Sequence, residues 1–162
     1  MTESGSEQRS LAEIRRYSNP SLPQAGRDPL RVETKTMHSE SRTLIFVYGT
    51  LKRGFCRSHH LAGQTFLEAA CTIPGYTMYD CGEYPGLVVN PTDGVCIQGE
   101  LWSVNGPGIA ILDEVEGVAE NWFSRQQIEL QHPAIPETVQ AYYFEGDVTR
   151  LPVYGDNWCK GF

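Results

Sequence analysis

A chain of 162 residues with 40% hydrophobic side chains is long enough to form one domain with a buried core. The formal net charge of −7 argues against binding to nucleic-acid phosphates, which requires clustered Lys and Arg, so we expect no nucleic-acid partner. No apolar run approaches the roughly 18 residues of a membrane span, and the polar first residues lack the apolar centre of a secretory signal. The sequence therefore predicts a cytoplasmic protein with no membrane partner.

Residues 1–41 are rich in Ser, Pro, Gln and charged side chains. Because such a segment cannot bury enough apolar area to offset its ordering entropy, we predict a flexible extension at 1–41 and a folded domain at 42–162. The first 40 residues carry six basic and six acidic side chains, so the whole net charge of −7 belongs to the remainder. An anionic substrate would therefore have to be held by backbone dipoles or by a few cations.

The predicted elements are mainly strands, beginning with Leu44–Tyr48, whose continuous apolar run is typical of a strand buried on both faces. Further strands are predicted at Thr65–Thr72, Gly75–Tyr79, Leu87–Val89, Val95–Val104, Phe123–Gln131 and Val139–Phe144. A short helix is expected after Arg57. A longer helix is predicted in "NGPGIAILDEVEG", with Asn105 as its cap, Pro107 in its first turn and Gly117 as its stop. Six or so strands with few helices indicate an α+β domain around a strongly curved sheet or small barrel.

The turn after the first strand, "YGTLKRG", is rich in backbone N–H groups but lacks the G-x-x-x-x-G-K-[ST] order of a phosphate-binding loop. The backbone amides of Gly49, Thr50 and Leu51 could converge as an anion nest, and Gly49 would admit a ligand close to the backbone because it has no Cβ. An ordinary tight turn, with Lys52 and Arg53 as solvated cations, is the open alternative.

The stretch "LDEVEG" places three carboxylates at the C-terminal end of the predicted helix. Leu112 and Val115 lie on the face of the helix that is expected to pack against the core. Asp113 and Glu116 are three residues apart, so they lie together on a neighbouring stripe of the helix surface. The negative end of the helix dipole and the like charge would both raise a carboxyl pKa. If Glu116 is also partly buried beside the core, it is a candidate proton acceptor and donor near neutral pH, with a solvated acidic helix end as the alternative.

The cysteines and histidines give weaker signals. Five widely spaced cysteines without a C-x-x-C pair predict reduced, mostly buried thiols, not a disulfide framework. Cys56, His59 and His60 have no second pair to complete four-coordination, so no metal site is expected. The same residues lack the third, orienting group of a Cys-His nucleophile. Tyr142 and Tyr143, on a predicted strand, are interpreted as packing residues.

Together these stretches resemble the gamma-glutamylcyclotransferase-like superfamily, which includes AIG2-like proteins and gamma-glutamylamine cyclotransferases. The resemblance rests on "FVYGTLKRG", "YPGLV", "QGELWSV", "LDEVEG", "FSRQQIEL" and "VQAYYFEG", in the order of the family. It covers about residues 44–146 without a large gap. The sequence departs from the family at Phe123, where the family usually has tyrosine. Any contact from that tyrosine hydroxyl is lost here, and we expect this to affect which substrate is bound more than the chemistry.

The resemblance implies a small mixed barrel with a cavity, a small-molecule γ-glutamyl substrate and no cofactor. Carried over residue by residue, Tyr48, Gly49, Thr50 and Leu51 would bind the α-carboxylate and α-amino ends of the substrate, and Glu116 would be the general acid/base. The implied reaction releases 5-oxoproline and a free amine from a γ-glutamyl amine or amide. A non-catalytic, AIG2-like binding or stress-associated module that keeps the cavity is the alternative.

Overall fold

A computed structural model describes residues 41–161. The predicted extension at 1–41 lies outside this range except for its last residue, and it stays a prediction. The described residues form nine strands, one α-helix and one 3₁₀ turn. The strands are β1 Arg42–Val47, β2 Thr65–Thr72, β3 Tyr76–Asp80, β4 Pro85–Val89, β5 Gln98–Asn105, β6 Phe123–Ile128, β7 Leu130–His132, β8 Val139–Phe144 and β9 Val153–Gly155; the α-helix is α1 Gly106–Val115 and the 3₁₀ turn is Ser58–Leu61.

The strands form two sheets. Six of them pair in the order β6-β8-β1-β5-β2-β7, and the other three pair in the order β4-β3-β9. The pairing of β1 with β8 is parallel and the other pairings are antiparallel, so the larger sheet is mixed.

The larger sheet curls until its two edges approach each other. The edge strands β6 and β7 are consecutive in the chain, and Glu129 is the one residue between Ile128 and Leu130. Because two Cα steps span at most ~7 Å, the ends of the two edge strands must lie side by side. This topology confirms the predicted α+β fold with a strongly curved, mixed sheet.

The central strand β1 is buried on both faces, as its apolar run predicts. Phe46 contributes to one core cluster together with Met78 and Leu87 of the smaller sheet. Ile45, which points to the opposite face, contributes to a second cluster with Leu112 of α1. The domain therefore has the smaller sheet on one side of β1 and the helix on the other.

The helix begins as its sequence predicts. The Asn105 side chain accepts a hydrogen bond from the Gly108 N–H at 2.9 Å, and proline stands in the first turn. The regular helix ends at Val115, and Gly117 follows in the left-handed conformation with φ of 65°. With ten residues α1 is short, and the described part of the chain contains no helix able to span a membrane.

Three predictions about strands need correction. The single strand predicted at Phe123–Gln131 is two strands, because the chain passes at Glu129 from one edge of the sheet to the other. The strand predicted from Val95 begins at Gln98, since Val95 forms an isolated bridge to Tyr76 of the smaller sheet. The sequence did not predict β9, whose three residues become a strand by pairing with β3.

The cysteines are also less buried than predicted. All five are free, but Cys56 and Cys159 are exposed and the other three are partly exposed. Cys56 follows the loop after β1, and Cys159 lies beyond the last strand, where few elements cover them. The prediction of free thiols is confirmed within the described residues, and the prediction of buried ones is wrong.

Candidate active site

A narrow pocket opens where β1 runs into its following loop. It encloses about 330 Å³ of empty space, counting the part open to solvent. Its lining residues come from four places: β1 and its loop, the start of β4, the end of α1, and β8. They are Phe46, Val47, Tyr48, Gly49, Thr50, Leu51, Tyr84, Pro85, Glu116 and Tyr142. The fold thus brings all five predicted site residues together in one pocket.

The loop presents backbone N–H groups that have no partner. Within residues 41–161, the N–H groups of Gly49, Thr50 and Leu51 form no hydrogen bond. The loop carbonyls are engaged, because Gly49 accepts from the Lys52 N–H at 3.1 Å and Thr50 accepts from the Arg57 N–H at 3.0 Å. Three successive unpaired donors in a pocket wall are costly unless water or a ligand satisfies them, and they suit an anion.

Only one of the two loop cations is solvated, because Lys52 is buried whereas the Arg53 side chain is 55% exposed. Lys52 is 8% exposed, and its Nζ donates to Asn157 Oδ1 at 2.8 Å and to the Trp158 carbonyl at 2.9 Å. Arg53 forms an ion pair with Glu100 at 3.1 Å. Neither side chain lines the pocket, so both cations contact other parts of the chain, and the unpaired N–H groups belong to loop residues that line the pocket.

Gly49 is required by the packing of the loop. A Cβ atom at this position would lie 2.6 Å from Cγ and 2.9 Å from Cδ of Pro85. These separations are far shorter than van der Waals contact, so any side chain at Gly49 would push the loop away from β4. The glycine therefore permits a close approach between two walls of the pocket, in addition to any approach of a ligand.

Glu116 stands at the end of α1, where its backbone N–H donates to the Leu112 carbonyl at 2.9 Å. Burial raises the pKa of Glu116 from 4.5 to about 7, and the positive charge of Arg57 acts in the opposite direction. Of the causes considered from the sequence, burial is the one that raises this pKa, and neither a like charge on Asp113 nor the helix dipole is among its causes.

Asp113 does not share the surroundings of Glu116. Its carboxylate accepts from Arg125 Nε at 2.8 Å and Nη2 at 3.1 Å, and from the Tyr142 hydroxyl at 2.7 Å. Burial acts to raise the pKa of Asp113, but the hydrogen bonds from Arg125 and Tyr142 outweigh it and hold the pKa below its ordinary value. The charge of Asp113 is thus neutralised by partners on β6 and β8, and Asp113 is not among the causes that shift the pKa of Glu116.

The hydroxyl of Tyr48 is committed to the protein. It donates to the Tyr142 carbonyl at 2.7 Å, and burial raises the pKa of Tyr48 well above its ordinary value. Tyr48 lines the pocket with its neutral ring and backbone, so a contact from its hydroxyl to a substrate would require this bond to break.

Besides Phe46 and Val47 of β1, three pocket residues had no predicted role in the site. Tyr84 and Pro85 were noted within "YPGLV", and Tyr142 was interpreted as packing. Tyr142 is indeed buried, yet it links the pocket to Asp113 through its hydroxyl. The order tyrosine-proline-glycine just before a predicted strand was the sequence signal that could have identified Tyr84 as a pocket residue. Phe123, where the family usually has tyrosine, does not line the pocket but packs against Tyr84, which does. The centroids of the two rings are 5.9 Å apart.

The residues considered for a metal do not form a cluster. The rings of His59 and His60 pack together with centroids 4.0 Å apart, and the Cys56 carbonyl lies 3.1 Å from His59 Nδ1. Residues 41–161 hold no group of three His, Cys, Asp or Glu side chains placed to share a metal ion.

Similar proteins carry cyclotransferase names. A protein of Arabidopsis thaliana named "Putative gamma-glutamylcyclotransferase" is 37% identical over 106 residues, which is 59% of this chain and 55% of that protein. The gamma-glutamylaminecyclotransferase of Rattus norvegicus is 39% identical over 82 residues, which is 45% of this chain and 54% of that enzyme. The chain thus matches about half the length of each of these two relatives.

The fold has solved counterparts. The crystal structure of an AIG2-like protein from Mus musculus superposes with a TM-score of 0.56 and 25% identity, covering 70% of this chain and 86% of that chain. The family model described as "Gamma-glutamyl cyclotransferase, AIG2-like" matches residues 45–160, which is well over half of the chain and includes the entire pocket lining. The chain therefore belongs to the gamma-glutamyl cyclotransferase, AIG2-like family.

Proposed function

We propose that this protein is a cyclotransferase that converts a γ-glutamyl amine or amide into 5-oxoproline and a free amine. One observation carries the proposal: a carboxyl with a pKa of about 7 lines the same pocket as three unpaired backbone N–H groups. The first feature suits a proton carrier at neutral pH, and the second suits a carboxylate. Family membership supports the reaction type, and the name of the rat relative supports a γ-glutamyl amine as one substrate class.

In the proposed complex, the N–H groups of Gly49, Thr50 and Leu51 hold the substrate α-carboxylate. The substrate must bend so that its α-amine approaches its own γ-carbonyl carbon, four bonds away, and attack at this carbon closes a five-membered ring. Such enforced intramolecular geometry can lower a barrier by up to ~7–11 kcal/mol. Tyr48 and Tyr142 line the pocket around the bent chain.

The proton follows a closed path. The α-amine enters as an ammonium, which has no free electron pair, so Glu116 first removes one proton. The amine nitrogen then forms a bond to the γ-carbonyl carbon, and the carbonyl electrons move to an oxyanion that backbone N–H groups stabilise. When the oxyanion collapses, the bond from this carbon to the leaving nitrogen breaks, and Glu116 returns a proton to that nitrogen. The Glu116 carboxylate then takes the second proton of the ring nitrogen and passes it to the departing amine, which leaves as an ammonium beside the neutral lactam. A carboxyl with a pKa near 7 can perform these transfers at neutral pH.

A direct product assay tests this function. The full chain is incubated with γ-glutamyl amines, γ-glutamyl amino acids and glutathione, and 5-oxoproline is measured. We expect 5-oxoproline and the free amine in equal amounts from at least one substrate. The matched control is the same substrate with its α-amine acetylated, which keeps the γ-amide but cannot cyclise.

Two results would contradict the proposal. Release of the amine from the acetylated control would indicate ordinary hydrolysis. Absence of turnover on all substrates, with retained binding of a γ-glutamyl ligand in calorimetric titration, would favour the non-catalytic binding module.

A further inference from the structure

Two tyrosines of the pocket donate their hydroxyl protons to groups other than Glu116. Tyr48 and Tyr142 line the pocket together with Glu116. The Tyr48 hydroxyl donates to the Tyr142 carbonyl at 2.7 Å, and the Tyr142 hydroxyl donates to Asp113 Oδ1 at 2.7 Å. Because a hydroxyl has a single proton to donate, neither tyrosine donates to Glu116 while these bonds last.

The Glu116 carboxyl accepts no hydrogen bond and forms no ion pair among the residues that the structure describes. Arg57, in the loop after β1, acts on it through charge alone, and the other titratable groups around the pocket are Tyr48, Tyr84 and Tyr142. A hydrogen bond to a carboxylate favours its charged form and lowers its pKa. Glu116 therefore keeps a pKa of about 7 partly because no neighbour donates to it.

Tyr142 is the tyrosine whose hydroxyl could turn towards Glu116. Its present acceptor, Asp113, lies three residues before Glu116 in helical backbone, and side chains at this spacing are neighbours with Cβ atoms about 5–6 Å apart. Burial and the contact with Asp113 raise the pKa of Tyr142, and the charge of Glu116 contributes in the same direction. A hydroxyl released by Asp113 would thus find the Glu116 carboxylate as its neighbouring acceptor.

The sheet holds Asp113 in this place. Arg125 of β6 donates to both carboxylate oxygens of Asp113, through Nε at 2.8 Å and Nη2 at 3.1 Å. The third guanidinium nitrogen of Arg125 donates to Gln140 of β8. Two parallel hydrogen bonds from a planar guanidinium keep a carboxylate in one orientation. The strands therefore fix the acceptor, and the acceptor fixes the Tyr142 hydroxyl.

We propose that Asp113 is a positioning residue for the cyclisation: it holds the Tyr142 hydroxyl away from Glu116, so that the Glu116 carboxyl stays without a hydrogen bond. This inference rests on the proposed function, and it gives Asp113 a role beyond its ion pair with Arg125. Asp113 does not line the pocket, so it acts on the reaction through Tyr142 and not by touching the substrate.

The test compares two uncharged replacements of Asp113 that differ in one hydrogen-bond acceptor. Asp113→Asn keeps an oxygen for the Tyr142 hydroxyl, whereas Asp113→Leu has a similar size and no acceptor. The titration of Glu116 is followed by ¹³C NMR of the glutamate carboxyls in the full chain, where the Glu116 signal is the one missing from Glu116→Gln. Circular dichroism checks the fold of each variant.

We expect the pKa of Glu116 to fall by about 1–2 pH units in Asp113→Leu, the size of one hydrogen bond to a charged carboxylate, because the released hydroxyl donates to Glu116. Asp113→Asn should keep the wild-type value. Adding Tyr142→Phe to Asp113→Leu should restore that value, since the released donor is then gone.

The same change should appear in the kinetics with a γ-glutamyl substrate. In Asp113→Leu the pH profile of kcat should move to lower pH by the amount that NMR measures. At pH 8 we expect kcat to fall by roughly 3- to 10-fold with little change in KM, because a weaker base accepts the ammonium proton less readily. A loss of structure alone would not move the pH profile.

Equal pKa values of Glu116 in Asp113→Leu and Asp113→Asn would overturn the inference, because the hydroxyl would then have no part in them. A change that Tyr142→Phe does not reverse would overturn it as well. Tyr142→Phe alone decides the matter even if Asp113→Leu does not fold: Glu116 should titrate as in the wild type, and a clear change would mean that the hydroxyl already acts on Glu116. The NMR titration needs no substrate, so absence of 5-oxoproline would contradict the proposed function separately.

Discussion

Asp113 and Glu116 stand three residues apart at the end of one helix, yet their carboxyl groups have pKa values displaced in opposite directions. Asp113 is held ionised by hydrogen bonds from Arg125 and Tyr142, which outweigh its burial, whereas burial brings the pKa of Glu116 to about 7. One carboxylate therefore joins the helix to the sheet, and the other is free to exchange a proton. This division assigns different effects to substitutions at neighbouring positions.

Glu116→Gln should lower turnover by about 10²–10⁴, the range typical of general acid–base catalysis, because the amide cannot accept the ammonium proton. Binding of 5-oxoproline, measured by calorimetry, should change little. Glu114→Gln is the matched control, since Glu114 is exposed on the same helix end. A variant Glu116→Gln with near-normal turnover would remove Glu116 from the mechanism.

The raised pKa of Glu116 should also be visible in folding stability, independently of any substrate. Below pH 4.5 the Glu116 carboxyl is protonated in both the folded and the unfolded chain, so it does not change the free energy of unfolding. As pH rises towards 7, the unfolded chain releases this proton before the folded chain does, so the folded state is destabilised. The shift from 4.5 to about 7 corresponds to at most roughly 3 kcal/mol above pH 7.

Glutamine does not titrate, so the variant Glu116→Gln does not lose folding stability in this way as the pH rises. Its free energy of unfolding, measured in urea, should therefore exceed that of the wild type by more at pH 8 than at pH 4.5. Glu114→Gln serves again as the control for a glutamate-to-glutamine change at this helix end. A difference between Glu116→Gln and wild type that is the same at both pH values would contradict the raised pKa.

The contact between Asp113 and Arg125 should be measurable as a coupling. Asp113→Asn removes the charge that two Arg125 nitrogens and the Tyr142 hydroxyl share, and we expect it to lower the free energy of unfolding by about 1–3 kcal/mol. Arg125→Gln should cost a similar amount, and the double variant should cost clearly less than the sum. Strictly additive costs would mean that the ion pair does not hold the helix to the sheet.

Gly49→Ala should weaken both stability and ligand binding, because the added Cβ meets the Pro85 ring at 2.6 Å. Overpacking of this kind typically costs about 1–3 kcal/mol. The double variant Gly49→Ala, Pro85→Ala removes the two ring carbons that clash, so its melting temperature and 5-oxoproline affinity should recover relative to Gly49→Ala. A double variant as impaired as the single one would show that the glycine is needed for another reason.

The sequence by itself determined much of the architecture, because local patterns report local structure. The apolar run of β1 predicted burial on both faces, and Asn105 with Pro107 predicted where α1 begins. The ordered motifs, through their resemblance to a family, also predicted that the loop after β1 and the end of α1 belong to one site. These features depend on side-chain periodicity and backbone capping, which neighbouring residues carry.

The tertiary structure decided the surroundings of each group. Glu116 and Asp113 follow the same sequence rules, and their different pKa values depend on partners from β6 and β8 that no local pattern identifies. Likewise, the burial of Lys52 depends on Asn157 and Trp158, which are more than 100 residues away in the chain. Desolvation and ion pairing are set by what packs around a side chain, so they become defined when the sheet curls and its distant segments meet.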